Sequence, residues 1–136
     1  MKKLMTLLAV AALVLSTLLI AVPVNANTVT IVSIDIKPWS CPNSINLKSK
    51  GRVPVAVHTT SGFDATTVDP ATVEFAGAAP VHWAMEDVDL DGDTDMIFHF
   101  KTQELDLTAS STSATLTGFT YGGDPISGTG SVNIVP

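Results

Sequence analysis

Six of the thirteen acidic residues in this 136-residue chain fall within ten positions, Glu86-Asp87-Val88-Asp89-Leu90-Asp91-Gly92-Asp93-Thr94-Asp95. Five aspartates alternate there with other residues, and one glycine stands among them. Like charges gathered so densely repel one another, so a fold that concentrates them needs a cation or abundant water to offset the repulsion. Carboxylates are hard oxygen ligands, and calcium takes roughly six to eight oxygens. Alternation lets every second side chain point inward, which is how a short loop brings several oxygens to one ion. Magnesium demands stricter octahedral geometry and keeps more of its water, so an oxygen-rich loop points to calcium.

Counted from Asp87, the carboxylates of Asp89 and Asp91 occupy the third and fifth positions of a calcium loop, and Gly92 at the sixth permits the sharp bend around the ion. Asp93 at the seventh is expected to offer its backbone carbonyl, and Asp95 at the ninth a carboxylate. An EF-hand needs a bidentate Glu at the twelfth position and helices on both sides. The twelfth residue here is Phe98, inside a strand pattern, which excludes that version. The spacing D-x-D-x-D-G-x-x-D instead resembles the short calcium loops of integrin α-subunit propeller repeats. That resemblance implies side-chain ligation by Asp87, Asp89, Asp91 and Asp95 and carbonyl ligation by Asp93.

Other reactive residues are sparse. His82 and His99 lie nearly equidistant from the centre of the acidic loop, so a hairpin would bring them face to face, either as a zinc pair or as polar neighbours on an exposed sheet face. His58 has no partner that the sequence names. Cys41 is the only cysteine, so no internal disulfide is possible; it reads as a loop residue or as a site of intermolecular pairing. Trp39, between Pro38 and Ser40, is a candidate surface platform for sugars, and Tyr121 another, while Trp83 reads as core. There is no G-x-S-x-G elbow, H-E-x-x-H pair, P-loop or Cys-His arrangement, and Glu74, Glu86 and Glu104 carry no local signature of a glycosidase. The expectation is a protein that is not an enzyme.

The elements that must hold the loop are strands. Short runs rich in Val, Ile, Thr and Phe alternate with Gly, Pro, Ser and Asn clusters, and no segment has a helical apolar period. Strands are expected near residues 28–36, 44–47, 52–59, 72–75, 81–88, 96–102, 114–120 and 131–135, with a brief helical or irregular turn at 103–107. This is an all-β chain, an antiparallel β-sandwich of about seven to nine short strands with the calcium loop on a central hairpin. Val53, Val55 and Val57 share one face of their strand, and Pro54 marks that strand as an edge or bulge. Met96, Phe98 and Phe100 alternate likewise, as do Val81, Trp83 and Met85, so both arms beside the loop are expected to carry bulky side chains into the core.

Residues 1–26 read as a signal peptide: Lys2 and Lys3, an apolar run from Leu4 to Val22, Pro23, then Val24-Asn25-Ala26 before cleavage. The run is long enough to serve as a membrane anchor if uncleaved. Residues 27–136 then form one secreted domain, in which five cations face thirteen acids for a formal balance of −8. Such a surface is a poor partner for nucleic acid or anionic lipid.

The series Ile34-Asp35-Ile36-Lys37-Pro38, Pro42-Asn43-Ser44-Ile45-Asn46, Val53-Pro54-Val55-Ala56-Val57, Phe63-Asp64-Ala65 with Val68-Asp69-Pro70, and Glu86 to Asp95 resembles a small β-module of secreted archaeal and bacterial proteins, often appended to larger extracellular proteins. The resemblance spans about Ile34 to Pro136, with departures at Trp39 and Cys41. It implies a calcium-loop β-domain at the cell surface or outside the cell, with no defined enzymatic activity. The expected role is an accessory or adhesion module whose partner is a surface protein or a glycan. The alternative is a carbohydrate-binding module or a subunit of a carbohydrate-active enzyme.

Overall fold

The computed structural model describes residues 28–136, so the signal segment lies outside the described residues. The described chain is all β, as the alternating pattern requires, with ten strands and three short 3-10 turns. The strands are β1 (Thr30–Ile31), β2 (Ile34–Ile36), β3 (Ser44–Asn46), β4 (Arg52–Val57), β5 (Glu74–Phe75), β6 (His82–Glu86), β7 (Asp95–Lys101), β8 (Ser113–Phe119), β9 (Pro125–Ser131) and β10 (Asn133–Val135). One four-stranded sheet has the order β1-β9-β8-β5, the other β2-β4-β7-β6, and β10 pairs with β3 beside them. Most ladders are antiparallel, but β1 with β9 and β10 with β3 run parallel.

Between the sheets lies the main core. Val53, Val55 and Val57 of β4 meet Met96, Phe98 and Phe100 of β7 from one side, and Phe75, Leu116 and Ile126 come from the other. Period-two alternation therefore sorts β4 and β7 as the sequence predicts.

Four expectations need correction. The stretch 28–36 is two strands, because the chain leaves one sheet after Ile31 and joins the other at Ile34. Strand β9 lies in Pro125–Ser131, a Gly, Pro and Ser segment without strand chemistry. Its glycines answer a tertiary need: a Cβ on Gly128 would come within 2.6 Å of Ile34 Cγ2, and one on Gly130 within 2.8 Å of Ile36 Cδ1. The crossing of β2 over β9 admits no side chain there.

Pro54 sits in an interior strand, with β2 on one side and β7 on the other. Its carbonyl accepts from Lys37 N–H at 2.8 Å, one residue past the end of β2. Its donor-less nitrogen faces the same side, at the last rung of that ladder, so no interior hydrogen bond is lost. Finally, Val81, Trp83 and Met85 are exposed, Trp83 by 46% and Met85 by 61%. Trp83 and Met85 pair with Phe98 and Met96 and so keep the expected parity. As edge strand, however, β6 overhangs the opposing sheet.

Candidate metal centre

Strands β6 and β7 form the arms on which the acidic loop is carried, with Glu86 opposite Asp95 at its base. The turn bends back through two left-handed residues, Leu90 at φ 59° and Gly92 at φ 94°. Glycine adopts that conformation freely; for Leu90 it carries a steric cost that the surrounding hydrogen bonds must offset. Asp87 supplies two of them, accepting from Asp91 N–H at 3.2 Å and from Gly92 N–H at 2.9 Å. Asp91 Oδ1 accepts from Asp93 N–H at 2.9 Å.

Asp95 is the structural keystone. It is fully buried, and its two oxygens accept from Thr59 N–H at 2.8 Å and Val88 N–H at 2.9 Å. One carboxylate thus ties the end of β4 to the start of the loop. Burial by itself would raise its pKa, but those two backbone donors and the neighbouring His58 hold it below the ordinary carboxylate value. Thr59 adds a second tie, donating its hydroxyl to Thr94 O at 2.6 Å and accepting from Ala65 N–H. Val88 plugs the space beneath the loop, packed with Ala56 and Ile97 on the outer face of the sheet.

The consequence is convergence. Asp87, Asp89, Asp91 and Asp95 each present an oxygen, and these atoms all lie within 4.8 Å of one another. Asp93 is not part of that carboxylate group. Asp89 has its pKa raised, first by partial removal from water, then by its hydrogen bond with Asp91 and the charges of Asp95 and Asp91. The neighbouring carboxylates thus add to the effect of desolvation, and His58 opposes it.

His58 joins the cluster without any local sequence signal. Val57 pairs with Met96, so His58 and Asp95, one step further along each strand, are cross-strand neighbours. His58 Nδ1 lies 3.4 Å from Asp89 Oδ2 and 3.6 Å from Asp95 Oδ2, and it is buried with no hydrogen-bond partner. A second donor group, His58, Asp89 and Asp95, therefore shares two carboxylates with the first. The signal that would have found it is the pairing of β4 with β7, which joins residues far apart in sequence.

His82 and His99 do face each other, directly paired, with ring centroids 5.4 Å apart. Among the described residues no third ligand joins them. Trp39 is 76% exposed and Tyr121 68%, on separate loops, and Cys41 is an exposed free thiol.

The fold and site define an all-β sandwich that presents a mixed carboxylate and imidazole cluster able to hold a metal ion. No family model, curated protein or solved structure matches the chain. Among the described residues, no helix is long and apolar enough to cross a membrane.

Proposed function

We propose that this chain is a secreted, non-catalytic accessory or adhesion module whose 87–95 loop holds one calcium ion and is stiffened by it. The supporting observation is the meeting of four aspartate carboxylates on a loop already bent and hydrogen-bonded into shape. Oxygen donors of this number and charge suit a hard divalent cation, and calcium, which accepts more oxygens in less regular geometry, suits the loop better than magnesium. Asp87, Asp89, Asp91 and Asp95 would hold the ion through their side chains and Asp93 through its carbonyl. The resemblance to secreted archaeal and bacterial modules gives the setting, outside the cell or at its surface, with a surface protein or a glycan as partner.

Extracellular calcium modules bind with Kd of about 10⁻⁴–10⁻³ M, which at ~1 mM calcium stabilises the fold by about 0.4–1.4 kcal/mol. Titration calorimetry with calcium, magnesium and zinc tests the assignment. Calcium binding at sub-millimolar to millimolar concentration, lost in Asp91→Asn, is the expected result. No heat with calcium and no co-purifying calcium would contradict it.

One observation favours a second reading of the same centre. The unpartnered Nδ1 of His58 beside Asp89 and Asp95 makes a nitrogen and oxygen donor set suited to a borderline ion such as zinc. His58→Gln separates the two: it leaves calcium binding intact and lowers zinc affinity if imidazole is a ligand.

A further inference from the structure

The cations of this molecule are as concentrated as its acids. Lys37, Lys48, Lys50, Arg52 and Lys101 are the only Lys and Arg residues among those described, and all gather at the end of β4 and β7 opposite the acidic loop. Arg52 and Lys101 stand directly opposite each other across the ladder. Asp95 and Lys101 bound the same strand, which puts the two ends about 20 Å apart.

Two open grooves meet at Arg52. One, of about 440 Å³, is lined by Lys50, Arg52, Lys101, Gln103 and Glu104. The other, of about 280 Å³, is lined by Lys37, Arg52, Ser44, Asn46, Ser49 and Thr102 among others. Lys48 joins the rim, its carbonyl accepting from the Gln103 amide at 3.3 Å.

Like charges directly opposite in an antiparallel pair destabilise it. Among the described residues none of the five cations forms an ion pair with a carboxylate, and the Lys37 ammonium donates to the Ser44 carbonyl. Thirteen acids are available in the chain, yet only Glu104 lines either groove. Among the described residues, whose net charge is negative, the five cations gather at one end, without carboxylate partners and around grooves, and so are presented to an anion from outside.

The lining narrows the class of anion. Ser44, Ser49, Asn46 and Gln103 stand among the cations; each makes one hydrogen bond within the fold and keeps another capacity, the serines their hydroxyl protons, Asn46 its amide N–H groups and Gln103 its amide oxygen, which suits a ligand with many hydroxyls and spaced anionic groups. No aromatic side chain lines either groove, so the stacking that holds single-stranded nucleic acid is missing. We propose that this end of the sandwich binds an acidic polysaccharide, a sugar polymer carrying carboxylate or sulfate groups. The site shares no residue with the metal centre and goes beyond the calcium reading.

The test titrates the full chain with dextran sulfate, with polygalacturonate to separate sulfate from carboxylate, and with neutral dextran, in calcium and in chelator. The expected result is binding of at least one acidic polymer that weakens steeply with salt, and none to neutral dextran. Affinity should fall about tenfold or more in Arg52→Glu with Lys101→Glu, and in the milder Arg52→Gln with Lys101→Gln. Dextran sulfate should bind equally well in calcium and in chelator, so failure of the metal assignment leaves this result untouched.

The proposal is overturned if neither acidic polymer binds, if neutral dextran binds equally, or if both double variants bind unchanged. It is also overturned if a single-stranded polynucleotide or anionic vesicles bind as tightly as the polysaccharides.

Discussion

The β2-β4-β7-β6 sheet turns two unlike faces to its surroundings. Inward it shows Val53, Val55, Val57, Met96, Phe98 and Phe100, none more than 3% exposed. Outward, the same two central strands show Ala56 and Ile97 under the plug Val88, and then His58, Asp95 and His99. The first face is contiguous apolar surface and contributes most of the hydrophobic stabilisation. The second has only a small apolar patch, and it holds the acidic loop through the hydrogen bonds of one buried carboxylate. Alternation thus lets the same two strands serve stability with one face and the acidic cluster with the other.

Substitutions on the two faces separate these roles. Phe98→Ala opens a cavity in the main core and should cost about 3–5 kcal/mol by denaturant unfolding, while the protein that stays folded keeps its calcium affinity. Asp95→Ala leaves the buried N–H groups of Thr59 and Val88 without acceptors. A cost of about 2–3 kcal/mol is expected, together with loss of metal binding. If calcium binding survived that change, the outer face would not be organised as described.

Trp83→Ser sharpens the boundary of the inner face. A core tryptophan would cost about 3–5 kcal/mol, whereas the overhanging Trp83 should cost about 1–2 kcal/mol in the same unfolding measurement.

The smallest effect concerns pH. Burial first, then the charges of His82 and Arg52, hold His99 below its ordinary pKa of 6.5. Between 6.5 and that lower folded value the unfolded chain binds the proton more readily. Stability is therefore complete above 6.5 and falls as pH drops through this window. His99→Gln should flatten that part of the Tm profile.

What the sequence made legible is what is local. Five alternating aspartates with Gly92 between them announce a loop because carboxylates and bend lie within ten residues. The valines of β4 and the aromatics of β7 announce their buried face by alternation alone. His58 was illegible because its partner Asp95 is reached only through a long-range ladder. Strand β9 was hidden because its glycines serve the crossing of β2, and locally they read as turn residues. Trp83 had the right parity, but whether a second sheet covers it is a property of the whole sandwich. Pro54 escaped its edge assignment because its nitrogen faces the last rung of a short neighbour.

The central claim is that the outer face is finished by a cation. Thermal unfolding of the full chain in millimolar calcium and in excess chelator, with Asp91→Asn alongside, tests it most directly. The account predicts a higher Tm in calcium for the parent chain, a difference that disappears in the variant. Equal melting temperatures with and without calcium in the parent would contradict it.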